Sequence, residues 1–192
     1  MEIKGGALTQ MAYVTRDLNK LVMSWVTIAK AGPFFVLPLP AFEKSYRGKP
    51  GKDAIIIAAG FAGRTIIEIT QPTNDEPSIV WEILNSKGDG ALHHVYPRFC
   101  PLSSEEFQIR RDEYERAGLK VAVEFDLPGF GKNLYFDALD QLGTFIELAQ
   151  LTPHVLESVE RMYEIHRTWD GTRPIRDLSE LMIAESQPGA TS

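Results

Sequence analysis

The stretch "TFIELAQLTP", residues 144–153, sets a carboxylate, Glu147, in the middle of a run that otherwise reads as a buried strand. Phe145, Ile146 and Leu148 surround it, and Thr152-Pro153 closes the run. A near copy, "TIIEITQPT" at residues 65–73, puts Glu68 in the same place. Two carboxylates in matching strands point to a duplicated module with a shared site.

Working outward, each half carries the same order of elements. "ALTQMAYV" (7–14) is a short strand candidate, and Asp17 caps a helix whose apolar positions Leu18, Leu21, Val22, Trp25, Val26 and Ala29 follow helical spacing. Gly32 and Pro33 stop it. "FFVLPLP" (34–40) is extended but proline-interrupted, hence an edge strand or loop, and "YRGKPGKD" (46–53) is a turn-rich polar loop. "AIIIAAGF" and "RTIIEITQP" make a hairpin around Gly63. In the second half "ALHHVYP" (91–97) is a strand, and Ser103 with Glu106 forms a capping box for a helix ending at Gly118. Strands over 119–127, 132–139 and 143–151 complete it.

The predicted fold is α+β: two tandem βαβββ modules forming a curved, cleft-enclosing mixed sheet, with a C-terminal helix added. The expected bounds are 7–72 for the first module, 73–90 for a linker with a short helix, 91–151 for the second module and 152–192 for the C-terminal helix and tail. That last helix starts with a cap and a proline at Thr152-Pro153. It carries an apolar stripe of Val155, Leu156, Val159, Met162, Tyr163 and His166, suited to the outside of the sheet or to a partner chain. The expectation is a homodimer with this helix at or near the interface. "AESQPGATS" (184–192) reads as a frayed tail.

The 192 residues are 44% apolar and 24% charged, ordinary for a globular chain. The net charge of −6, with no basic tract, argues against nucleic acid or an anionic membrane as partner. No apolar run is long enough for a membrane span, and the start lacks a signal-peptide core. Cys100 stands alone, which excludes an internal disulfide. The expected location is cytoplasmic.

Strand parity decides which side chains can meet. Glu68 shares a face with Ile66 and Thr70, and Glu147 with Phe145 and Ala149. The first strand of each half offers Gln10 and either His94 or His93 at the matching depth. Two buried carboxylates facing each other need a compensating cation, and nitrogen and oxygen donors of this kind suit a divalent metal. Trp25, Phe34, Phe35, Tyr96 and Tyr135 are candidate aromatic walls for substrate.

The segments "TQMAYVTRDL", "IIEITQPTNDEPS", "ALHHVYP" and "TFIELAQ" resemble the vicinal oxygen chelate superfamily, which includes glyoxalase I, methylmalonyl-CoA epimerase, extradiol dioxygenases and bleomycin-resistance proteins. The resemblance spans roughly residues 7–151. It implies a ligand from the first and last strand of each half: Gln10, Glu68, His94 and Glu147. Laying one half over the other puts Gln10 on His94 and turns His93 to the opposite side. The set Gln, Glu, His, Glu is similar to that of zinc-type glyoxalase I, whereas epimerases typically show His, Gln, His, Glu.

What the resemblance implies is a metal-dependent isomerase or lyase for a carbonyl-containing, largely apolar small molecule. One divalent metal, Zn²⁺ ahead of Ni²⁺, Co²⁺, Mn²⁺ or iron, polarises the carbonyl; a glutamate shifts the adjacent proton through a metal-stabilised enolate. Glu147 is the expected base and Glu68 its symmetric alternate. The alternatives are a metal-free binding protein of the bleomycin-resistance type and a ring-cleaving dioxygenase, the latter disfavoured by Gln10.

Overall fold

The computed structural model describes residues 8–97 and 100–181. The first half runs β1 (Gln10–Val14), α1 (Leu18–Ala29), β2 (Phe34–Leu39), a small hairpin β3 (Lys44–Tyr46) and β4 (Lys49–Gly51), then β5 (Ile55–Ala62) and β6 (Thr65–Pro72). After α2 (Ile79–Lys87) the second half runs β7 (Ala91–Tyr96), α3 (Ser104–Arg116), β8 (Lys120–Leu127), β9 (Gly131–Ala138), a single turn α4 (Leu139–Leu142) and β10 (Thr144–Leu151). The C-terminal segment is α5 (Pro153–Thr168), β11 (Ile175–Asp177) and a 3-10 turn, Leu178–Leu181. None of the described helices is long and apolar enough to cross a membrane.

The helix starts follow local chemistry. Asp17 accepts from the Lys20 amide, Ser78 from Trp81 and Thr152 from Val155, while Ser103 and Glu106 form a complete capping box. All the described strands join one mixed sheet, ordered β11-β2-β5-β6-β1-β7-β10-β9-β8-β3-β4. At its centre β1 and β7 pair antiparallel, and each pairs in parallel with the last strand of its own half, β6 or β10. The first strands of the two halves therefore lie side by side, with the glutamate-bearing strands just outside them.

Three parts differ from the sequence reading. The stretch 46–53 is not a loop: β3 and β4 form a hairpin turned at Arg47 and Gly48, both at positive φ, the backbone such a two-residue turn needs. It crosses to the other half and adds to the edge of β8. Arg47 ties it down, reaching Glu82 of α2 at 2.7 Å and Asp137 of β9 at 2.8 Å.

β2 is likewise not an edge. β11 pairs in parallel with Phe34–Val36, so Pro38 lies beyond that pairing and meets a strand on one side alone, opposite Ile56 of β5.

The third difference is α5. Its stripe packs on the cavity-lining face of the chain's own sheet rather than on the outside: Met162, Val159 and Tyr163 pack with Phe35, Phe61, Ile66 and Leu181. The tail 184–192 lies outside the described residues.

Candidate functional site

Gln10, Glu68, His94 and Glu147 meet where β6, β1, β7 and β10 lie side by side. The Gln10 amide nitrogen donates to Glu68 Oε2 at 2.9 Å, and stands 3.2 Å from His94 Nε2 and 3.5 Å from Glu147 Oε2. His94 Nε2 is 3.1 Å from Glu147 Oε2 and 3.9 Å from Glu68 Oε1. Glu68 also accepts from the Thr70 hydroxyl, and Glu147 from that of Tyr135. Gln10, His94 and Glu147 are buried.

Burial holds the Glu68 carboxyl above its ordinary range; His94 opposes this and the Glu147 charge adds to it. For His94 burial works against protonation, but the hydrogen bond and charge of Glu147, with the charge of Glu68, raise its pKa. Burial, then the Glu147 charge, keep the Tyr135 hydroxyl protonated far into the alkaline range, so it acts as a donor.

His93 is where strand parity fails. Ala12 pairs with His94 but Tyr13 with Leu92, so His93 is an extra residue, a bulge in β7. The bulge breaks the alternation that would send His93 to the opposite face. Its Nδ1 instead lies 2.8 Å from His94 Nδ1. Burial and the His94 charge hold the His93 pKa well below its ordinary value, so this ring is neutral. One nitrogen then accepts and the other carries a proton. Its Nε2 is, among the described residues, a buried side-chain atom without a hydrogen-bond partner. A small cavity of about 70 Å³ adjoins it, lined also by Thr70, Ser78 and the buried Lys44–Asp53 ion pair.

Gln10, Glu68 and Glu147 of this cluster line a larger cavity of about 290 Å³, whereas His94 borders the small one. Phe35, Tyr96 and Tyr135 line it, as do Ile57, Ile66, Phe125, Leu127 and Phe130. Trp25 and Phe34 do not: Trp25 leans on Tyr13, and Phe34 is buried under α1 with Val22 and Ile69. Neighbours on a strand face opposite ways, so only one of Phe34 and Phe35 could reach the cavity. The wall that sequence reasoning missed is C-terminal. Val155, Val159 and Met162 of α5 line the cavity with Leu178 and Leu181. Their apolar spacing was legible, but the surface they cover was not.

As donors, the four side chains fit a divalent cation in type: one imidazole nitrogen, two carboxylates and an amide. With its proton on Nδ1 toward His93, His94 would present Nε2, the nitrogen that stands 3.1 Å from Glu147, as the donor atom. Among the described residues no group of three or more His, Cys, Asp or Glu is drawn around one point as a ready-made cage. The four termini satisfy one another instead, with the Gln10 NH₂ turned inward. Its oxygen and nitrogen exchange places by a half-turn of the amide.

No protein-family model matches the chain, and no curated protein is similar in sequence at a significant level. Among solved structures it is similar to the hypothetical protein BH1468 from Bacillus halodurans C-125, with a TM-score of 0.52 and 16% identity over 76% of this chain and 94% of that one. It is also similar to methylmalonyl-CoA epimerase from Mycobacterium tuberculosis, with a TM-score of 0.49 and 14% identity over 81% and 96% of the two chains. At 16% identity the likeness to BH1468 is one of fold alone, a mixed α+β architecture built on one curved sheet.

Proposed function

We propose that this chain is a metal-dependent isomerase or lyase that moves a proton next to the carbonyl of a largely apolar small molecule. The observation that carries the reading is the meeting of Gln10, Glu68, His94 and Glu147 beside a largely apolar cavity that the first, second and fourth of them line. Gln10 through its oxygen, Glu68, His94 and Glu147 would hold one divalent cation, with Zn²⁺ favoured. Bound there, the cation would draw electron density from a carbonyl oxygen and acidify the neighbouring C–H.

The chain's own residues do the rest. Glu147, 7% exposed, reaches the cavity and takes the proton from carbon. Tyr135 donates to the same carboxylate and orients it. Return of the proton to another carbon or face gives the isomer. Glu68, held by Gln10 and Thr70, is better placed to keep the site together than to move protons. The largely apolar walls lower the local dielectric around the cluster, which strengthens its polar contacts.

The direct test is proton exchange. Apolar ketones and α-hydroxy ketones are incubated with zinc-loaded protein in D₂O, and their α-proton NMR signals are followed. Loss of signal well above the protein-free rate is expected. Tight binding of such ketones without exchange would instead establish a binding protein of the bleomycin-resistance kind.

The bulge gives a second prediction. If His93 orients the metal-binding ring of His94, His93→Leu should weaken Zn²⁺ binding by about 10–100-fold, as loss of an outer hydrogen-bond partner does. His93→Asn should retain much of the affinity, since its oxygen replaces Nδ1 as acceptor. Calorimetric titration with Zn²⁺ reads both. Equal affinities in the two variants would leave His93 a packing residue only.

A further inference from the structure

We infer that the cavity takes an uncharged molecule with a hydrocarbon body, whose oxygen end meets Gln10, Glu68 and Glu147 and whose tail is measured against the C-terminal segment. This deepens the proposed function and rests on the same site.

The first ground is charge. Among the described residues lining the cavity there is no lysine or arginine. The titratable side chains there are Glu68, Glu147, Tyr96, Tyr135 and His154, the last exposed in the first turn of α5. Inside such walls a phosphate or carboxylate on the body of the ligand would be buried beside two glutamates with no cation of the chain to meet it. Burying an unpaired charge is among the costliest changes a site can make.

The second ground is polarity along the walls. Beside the acidic cluster the Tyr96 hydroxyl donates to the Ala149 carbonyl at 3.0 Å, and further along the wall the Asn133 amide donates to the Gly131 carbonyl at 3.0 Å. Both polar groups are thus engaged with backbone. On α5 the polar lining residues are His154, which is exposed, and Ser158, whose hydroxyl donates to the His154 carbonyl at 2.9 Å, and the rest of that wall is aliphatic. At about 290 Å³ the space lies near the small end of ligand pockets, roughly 300–1,000 Å³.

The third ground is that the wall formed by α5 and the segment after it is anchored at several places. β11 pairs with β2, His166 Nδ1 lies 2.6 Å from the Gly32 carbonyl oxygen, and the Arg161 guanidinium donates to the Leu181 carbonyl. The Trp169 ring lies so close to Gly32 that a Cβ there would stand 3.1 Å from it. Met162 and Val159 on this wall therefore set a length limit rather than yielding to any tail.

The test is a binding series on the zinc-loaded protein. Methyl ketones of increasing alkyl length are titrated by calorimetry, and the best one is compared with its ω-carboxylate. Affinity should rise about 4-fold per methylene, the value of burying one such group, and then stop rising when the tail reaches α5. The ω-carboxylate should bind at least 100-fold more weakly. Met162→Ala should move the limit to longer chains and Val159→Phe to shorter ones, each checked for an intact fold by circular dichroism. Affinity that ignores chain length, a carboxylate that binds as well as its parent, or a limit unmoved in both folded variants would overturn the inference. An intact length series without proton exchange would instead remove the catalytic reading and leave this one standing.

Discussion

Glu147→Gln is expected to lower turnover by about 10²–10⁴-fold, the usual contribution of a general base, while leaving the fold in place. The amide has nearly the shape of the carboxylate and can still accept from Tyr135 at one end, where the wild-type distance is 3.4 Å. It cannot take a proton from carbon. Glu147 also stands 3.1 Å from His94 as a proposed ligand, so its neutral replacement weakens the hold on a cation. Turnover must therefore be measured at saturating Zn²⁺, with bound metal quantified in the same sample. Glu68→Gln is the matched control. It loses a charge from the same cluster but should retain more activity, because Gln10 and Thr70 both donate to the Glu68 carboxylate. If Glu68→Gln is the dead variant and Glu147→Gln the active one, the base belongs to the first module.

The duplicated plan could be read from the chain because each half repeats one grammar. An alternating strand carries one polar residue, a capped helix follows, and a hairpin strand brings back a glutamate. Parity then brings Gln10, Glu68, His94 and Glu147 to one face, and in the structure these four side chains do meet. Parity misleads at His93 because one extra residue in β7, invisible in the spelling "HHVY", turns both imidazoles toward each other.

The hairpin at 44–51 escaped for a different reason. Two strands of three residues with Pro50 between glycines offer no periodicity, and the edge of β8 that receives them lies far along the chain. The apolar stripe of α5 was plain in Val155, Val159 and Met162. Helical spacing says that a face is buried but not against what, and long-range packing puts this one on the cavity face of the chain's own sheet rather than on its outside. For the same reason Phe34 and Phe35 looked equivalent until strand pairing gave each its face.

Loading the protein with Zn²⁺ is expected to raise its melting temperature by about 8–16 °C. A ligand present at about 1,000 times its dissociation constant stabilises by about 4 kcal/mol. In a domain of 192 residues each kcal/mol is worth about 2–4 °C. The site gives a reason for a gain of that size. Without a cation, Glu68 is pushed toward its protonated form by burial and by the Glu147 charge. A divalent ion removes that conflict by meeting both carboxylates at once. A chelator should reverse the shift. In His94→Ala the absolute melting temperature can fall for packing reasons alone, so the quantity to compare is the increment on adding Zn²⁺, which should shrink to near zero. An increment that survives in His94→Ala would place the ion elsewhere on the chain. No increment in the wild-type protein would take the metal out of the proposed chemistry and leave the four side chains as a buried hydrogen-bonded knot beside a binding cavity.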